Sequence, residues 1–266
     1  MALPTLQELL EAGVHFGHDP SRWNPQMAPY IFGTRNGVHI LDLQQTLAAL
    51  ERAAVFVRDF ASRGKTILFV GTKRQARPIV KAEAERCGMP YVIARWLGGT
   101  FTNFPMILRS IEKRAALAAK LASPDAALLT KKDRQKMAKE IERIDAVFEG
   151  LRNLRVIPDA AFLVGAHDEK LAAKEAQRMG LPLVALVDTN ADPRGINSPI
   201  PANDDAVRSL ALLVRVIADA VVEGRAAFAS QGQGEGPLTT PHPSPVSSQD
   251  PATPVPAGDA APPVPY

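Results

Sequence analysis

The sequence predicts a doubly wound parallel α/β sheet that carries an inserted antiparallel helical hairpin, and three observations predict it. Short, continuous apolar runs recur at "TILFVG" (66–71), "YVIA" (91–94), "AAFLVG" (160–165) and "LVALVD" (183–188). Such runs suit parallel strands covered on both faces. Amphipathic helices alternate with them, and repeated strand–helix units specify a doubly wound sheet. Between the second and third runs lies an insertion of roughly sixty residues, far beyond an ordinary crossover.

The elements follow in order. "TLQE" (5–8) reads as a capping box, with Thr5 as N-cap and Glu8 at N3, opening a helix that stops near Gly13. "YIFGTR-NG-VHILDL" reads as two strands joined by Asn36-Gly37, a pair suited to a type I′ turn. A helix from about Gln44 to Ser62 places Leu47, Leu50, Ala54, Val57 and Ala61 on one face. After the first buried strand, Ala76, Ile79, Val80, Ala84 and Cys87 form an apolar stripe, which makes Cys87 a core residue. A fifth, very short strand includes Ile200, and Val207, Leu210, Ala211, Val214, Ala218 and Val221 form the stripe of a final helix.

In the insertion, Met137, Ile141, Ile144, Phe148 and Leu151 repeat in 4-3-4-3 spacing, a coiled-coil seam. Ile107, Ile111, Ala118 and Leu121 match that register, interrupted by Arg114, and "ASPDA" (122–126) supplies the turn. The expected domains are an N-terminal helix and hairpin docking segment (1–43), an α/β domain (44–104 and 156–229), a coiled-coil insertion (105–155) and a tail (230–266). Pro, Gly, Ser and Thr dominate the tail, which holds His242. Such a segment buries too little to fold alone and is expected to be disordered.

Composition narrows the function. One cysteine rules out an internal disulfide, and the N-terminus lacks the basic region of a signal peptide. The longest apolar run, "SLALLVRVIADAVV" (209–222), is cut by Arg215 and Asp219, so no segment is expected to span a membrane and a cytoplasmic protein is expected. The net charge is +3, yet Pro105 to Arg155 holds 12 Lys/Arg against 7 Asp/Glu, while the remainder holds 19 against 21. That segment is either a solvated helical surface or the footprint of a polyanionic partner.

Motifs for catalysis are missing. "GTKRQA" (71–76) lacks the glycines of a dinucleotide loop and the Walker pattern, and the second strand ends in "ARW" where a ribose would need an acid. Lys73 and Arg74 either hold a phosphate at a helix N-terminus or are exposed cations of a βα turn. Asp188 and Asp192 in "VDTNAD" read as loop and cap residues. His15 and His18 flank Gly17, His39 is on a strand, and Cys87 belongs to a core stripe, so no metal and no cofactor are expected. Instead His15, His18, Trp23 and His39 are expected to shape a docking surface. Each tryptophan follows an arginine, Arg22-Trp23 and Arg95-Trp96, and "RWLGGTFTNF" adds Asn103. These rings either stack on unpaired bases or close the core. Two other readings remain, a nucleotide-binding α/β enzyme using "GTKRQA" and an interaction scaffold without RNA.

Taken together, "LLEAGVHFGHDPSRWNPQMAPYIFGTRNGVHILDL", "ILFVGTKRQA", "RWLGGTFTNF", "PDAAFLVGA", "VALVDTNADP" and "IPANDDAVRSL" resemble the family of bacterial ribosomal protein S-two, the second protein of the small ribosomal subunit. The likeness covers about Leu6 to Ala229 and leaves out the tail. It implies a flavodoxin-like sheet domain with a protruding coiled coil, and no enzymatic activity. It also implies binding of 16S ribosomal RNA at the head–body junction, contact with other small-subunit proteins, and docking of ribosomal protein S-one for capture of messenger RNA. No membrane and no small-molecule substrate are expected as partners. The expected RNA contacts are Arg22, Trp23, Arg35, Asn36, Lys73, Arg74, Arg95, Trp96 and Asn103. On the hairpin they are Arg109, Lys113, Arg114, Lys131, Lys132, Arg134, Lys136, Lys139 and Arg143.

Overall fold

The computed structural model describes residues 3–124 and 129–231, and its order follows the local chemistry of the chain. Thr5 caps α1 (Leu6–Glu11) by accepting from the Glu8 N–H, while the Glu8 carboxylate accepts from the Thr5 N–H. The hairpin β1 (Ile31–Arg35) and β2 (Val38–Leu41) reverses at Asn36 and Gly37 with φ of 51° and 77°, the left-handed pair a type I′ turn requires. Asp42 then caps α2 (Leu43–Ala61) by accepting from the Gln44 N–H.

The apolar runs become β3 (Ile67–Val70), β4 (Tyr91–Val92), β5 (Ala160–Val164), β6 (Leu183–Val187) and β7 (Ser198–Pro201). They pair in parallel in the order β4-β3-β5-β6-β7. Counting only these strands, the first lies inside the second, the flavodoxin-like order. Alternate side chains serve two cores. Phe69 and Phe162 meet edge-on at 5.3 Å on the face covered by α2, α3 (Arg77–Cys87) and α7 (Val207–Gln231). Leu68, Val70 and Leu163 face the other way, toward α6 (Lys170–Arg178), α4 (Phe104–Ala122) and α5 (Lys131–Phe148). Burying a side chain of this size stabilises by roughly 1.5–3 kcal/mol.

Both sheet edges are blunted. β7 carries Pro199 and Pro201, which have no N–H to offer another strand. β4 is two residues long and is covered by the turn at Glu149–Leu151. The expected "YVIA" strand therefore stops at Val92, because the chain leaves the sheet there for the "RWLGG" loop. The final helix also corrects its expected face. Val207 and Ala211 are exposed, and the buried arc runs through Leu210, Leu213, Val214, Ile217, Ala218 and Val221. The helix packs against both α2 and α3, so it buries an arc wider than one stripe. Cys87 is buried as expected, and burial pushes its thiol up to about 11.

α4 and α5 run antiparallel. The start of α4 (Ile107, Ile111) shares a core with the end of α5 (Ile144, Phe148), whereas Ala118, Leu121, Met137 and Ile141 farther along are only half-buried. Arg114, which interrupts the apolar register, makes a bidentate pair with Asp145 at 2.9 and 3.0 Å. Part of the expected "ASPDA" turn and the expected disordered tail beyond Gln231 lie outside the described residues.

Candidate nucleic-acid interface

In open α/β sheets a small ligand binds outside the carboxyl ends of the strands, where the strand order reverses. Here that place lies between β3 and β5, and the chain's own side chains fill it. The Thr72 N–H donates to Glu169 at 2.6 Å, and the Lys73 ammonium meets Asp204, Asp205 (2.9 Å) and Asp168 (3.1 Å). Lys73 is only 12% exposed. A phosphate arriving there would have to displace three carboxylates. Burial alone would lower the Lys73 pKa, but the Asp204 charge and the hydrogen bonds of all three carboxylates raise it. Of the expected pair in this loop, Arg74 alone is exposed.

The N-terminal segment closes the same edge. His39 and Leu41 of β2 donate backbone N–H groups to His18 and His15, and Gly17 donates to His39 at 2.8 Å. The segment is also tied to the loops after β6 and β7. The His18 N–H donates to Thr189 Oγ1 at 2.8 Å, the Asn24 N–H to the Thr189 carbonyl at 2.7 Å, and the Asn203 N–H to the Val14 carbonyl at 2.9 Å. A Cβ on Gly17 would come within 2.5 Å of Thr189, so glycine is needed for this approach. The His18 ring lies between Asp188 (3.2 Å) and Asp205 (3.3 Å), and the Asp188 carboxylate holds the imidazole above its ordinary pKa. Asp204 is fully buried, and burial together with the Asp188 charge pushes its carboxyl up. Sequence reasoning treated Asp188 as a loop residue and did not single out Asp204.

The two tryptophans have different fates. Trp96 is 7% exposed, packs on Phe101, and donates its indole N–H to Glu175 at 3.2 Å. Glu175 also accepts from the N–H groups of Gly99 (2.8 Å) and Phe101 (3.0 Å). Burial raises a carboxyl pKa, yet these donors hold Glu175 below its ordinary value. This one side chain shapes the "RWLGG" loop, and sequence reasoning missed it. Trp96 thus leaves no face for a base, while Arg95 and Asn103 on the same loop are exposed. Trp23 is 38% exposed and leans on the His39 ring at 5.3 Å, and Arg22, Arg35 and Asn36 are exposed as well.

The basic helices hold the remaining candidates. Lys113 and Arg143 both pair with Glu140, at 2.6 and 2.9 Å, and Arg114 is drawn into Asp145 together with Arg152. Arg109, Lys131, Lys132, Arg134, Lys136 and Lys139 are exposed, and among the described residues they form no ion pair. Five of these six lie in the N-terminal half of α5. No helix among the described residues is long and apolar enough to cross a membrane.

Two comparisons with known proteins bear on this surface. The family model described as ribosomal protein S2 matches residues 9–224. The small ribosomal subunit protein uS2 of Coprothermobacter proteolyticus is 49% identical over 225 residues, which cover 85% of this chain and 84% of that protein.

Proposed function

The chain belongs to the ribosomal protein S2 family, a structural constituent of the small ribosomal subunit and not an enzyme, and from that premise we propose that it grips 16S ribosomal RNA near the head–body junction through the free cations of α5. The observation that carries this reading is where those cations stand. Lys131, Lys132, Arg134 and Lys136 occupy the first two turns of the helix, beside the positive end of its dipole. In the first turn, Lys131 and Lys132 each cost the isolated helix on the order of 0.3–1 kcal/mol. The Thr130 cap and Asp133 offset part of that cost. Charges placed against the helix's own stability have a reason in an external polyanion.

Structured RNA is recognised largely by shape and backbone. A pair of helices locked at the base by Ile107, Ile111, Ile144 and Phe148 presents its cations at fixed spacing. We read this pair as a coiled coil. Arg22, Trp23, Arg35, Asn36, Arg74, Arg95 and Asn103 form a second contact surface in this reading. Lys73, Trp96 and Arg114 serve the fold. Docking of ribosomal protein S-one is a further part of the proposal, tested by whether S-one is retained on subunits assembled without this chain.

The test is filter binding of 16S ribosomal RNA across a salt series, comparing wild type with a variant carrying Lys131→Ala, Lys132→Ala, Arg134→Ala and Lys136→Ala. The slope of log affinity against log salt should shrink by roughly 0.7–0.9 for each phosphate that the variant no longer neutralises. An unchanged slope would contradict the proposal.

A further inference from the structure

The carboxyl edge of the sheet holds more negative charge than its one ammonium answers. Asp168, Asp204 and Asp205 surround Lys73, and Asp188 lies beside Asp204, whose N–H donates to Asp188 Oδ2 at 3.2 Å. His18, from the other end of the chain, enters this cluster only 19% exposed. A ring nitrogen of His18 and one carboxylate oxygen each of Asp188 and Asp204 all lie within 4.8 Å of one another.

Two of the atoms in this group lack a partner. Asp204 Oδ2 is buried without a hydrogen bond on a fully buried residue, and His18 Nδ1 is buried without one as well. His18 Nδ1 stands 3.2 Å from Asp188 Oδ1. That separation is close to the edge of a tetrahedron of oxygen and nitrogen ligands about 2.0–2.1 Å from a central ion, which is about 3.3–3.4 Å. On the far side of the ring, Nε2 has Asp205 Oδ2 at 3.3 Å as acceptor for its proton, and the Asn190 side-chain amide lies at 3.2 Å with its Oδ1 buried and unpartnered. A histidine that donates from one nitrogen to a carboxylate turns the lone pair of the other toward a metal. Without a proton or a cation between them, that lone pair would face the lone pairs of a carboxylate.

We propose that His18, Asp188 and Asp204 hold one divalent cation of the zinc class, which staples the N-terminal segment to the loops after β6 and β7. The donor set selects the class. Imidazole suits zinc and its neighbours, whereas magnesium prefers an all-oxygen shell. A site of three protein ligands leaves the fourth position to water. This goes beyond the RNA-binding proposal and does not depend on it, since none of the three residues is offered there as an RNA contact. It also revises the expectation from sequence that the N-terminal histidines bind no metal.

The test is calorimetric titration of the full-length, chelator-stripped protein with zinc chloride in excess magnesium, paired with thermal melting. The expected result is one bound equivalent and a higher melting temperature. Both should be lost in His18→Ala and in Asp204→Asn, and both kept in His242→Ala. His18→Ala decides the matter if Asp204→Asn does not fold. No bound equivalent in the wild type would overturn the proposal, because the proton alone would then fill the gap. An equivalent that persists in His18→Ala, or disappears in His242→Ala, would overturn it as well.

Discussion

Lys73 and the lysines of α5 are the same side chain in similar basic stretches, "GTKRQA" and "KKDRQK", yet they end in opposite environments. Lys73 is 12% exposed against three carboxylates drawn from loops far apart in the chain. Lys131, Lys132, Lys136 and Lys139 are exposed and form no ion pair among the described residues. The difference teaches that a cation's role follows from what the fold brings to it. Where carboxylates converge it joins loops, and where none come near it is left for an outside anion.

The comparison breaks most visibly at Lys73. Lys73→Met leaves a buried acidic cluster without its ammonium, and removing one partner of such a buried group costs about 3–5 kcal/mol. Urea denaturation should record that loss, and a loss under about 1 kcal/mol would place Lys73 with the α5 lysines. Glu175→Gln is next. It removes the charge that gathers the Gly99 and Phe101 N–H groups and the Trp96 indole, at a cost of about 1.5–3 kcal/mol. Trp96 fluorescence should shift red as the loop loosens, whereas an unshifted spectrum would mean the loop holds without it.

Arg114→Ala sharpens the boundary between the two kinds of cation. Asp145 keeps Arg152 at 2.7 Å, so the expected loss is only about 1 kcal/mol, with RNA affinity unchanged. A fall in RNA affinity larger than that from removing an α5 lysine would return Arg114 to the RNA-binding surface. The smallest loss of stability belongs to the fourfold alanine variant at Lys131, Lys132, Arg134 and Lys136. Its stability should not fall, and should rise by about 1 kcal/mol as Lys131 and Lys132 leave the positive end of the helix dipole. A large loss would show that these charges hold the hairpin itself.

Much of the fold was legible in the sequence because its strands are short apolar runs bounded by Gly or Pro. The capping box at Thr5 and the turn at Asn36-Gly37 were equally local, each written in two to four residues. α7 was misread because it is apolar around more than one stripe, so periodicity alone did not say which arc met α2 and α3. The environment of His18 was out of reach for another reason. Its partners Thr189 and Asn190 stand 171 and 172 residues away, and no periodic pattern encodes which loops meet. Glu175 was hidden by its setting, since a glutamate in "KLAAKEAQR" reads as a solvent-facing helical residue until the "RWLGG" loop folds over it.

The central claim, that the free α5 cations bind RNA while the buried Lys73 serves the fold, meets its most direct test on a sucrose gradient. Lysates holding wild type or the fourfold alanine variant would be sedimented over rising salt, and the chain followed by blotting. The account predicts that wild type travels with the small subunit and that the variant leaves it at distinctly lower salt while still folded. Release of both proteins at the same salt would contradict it.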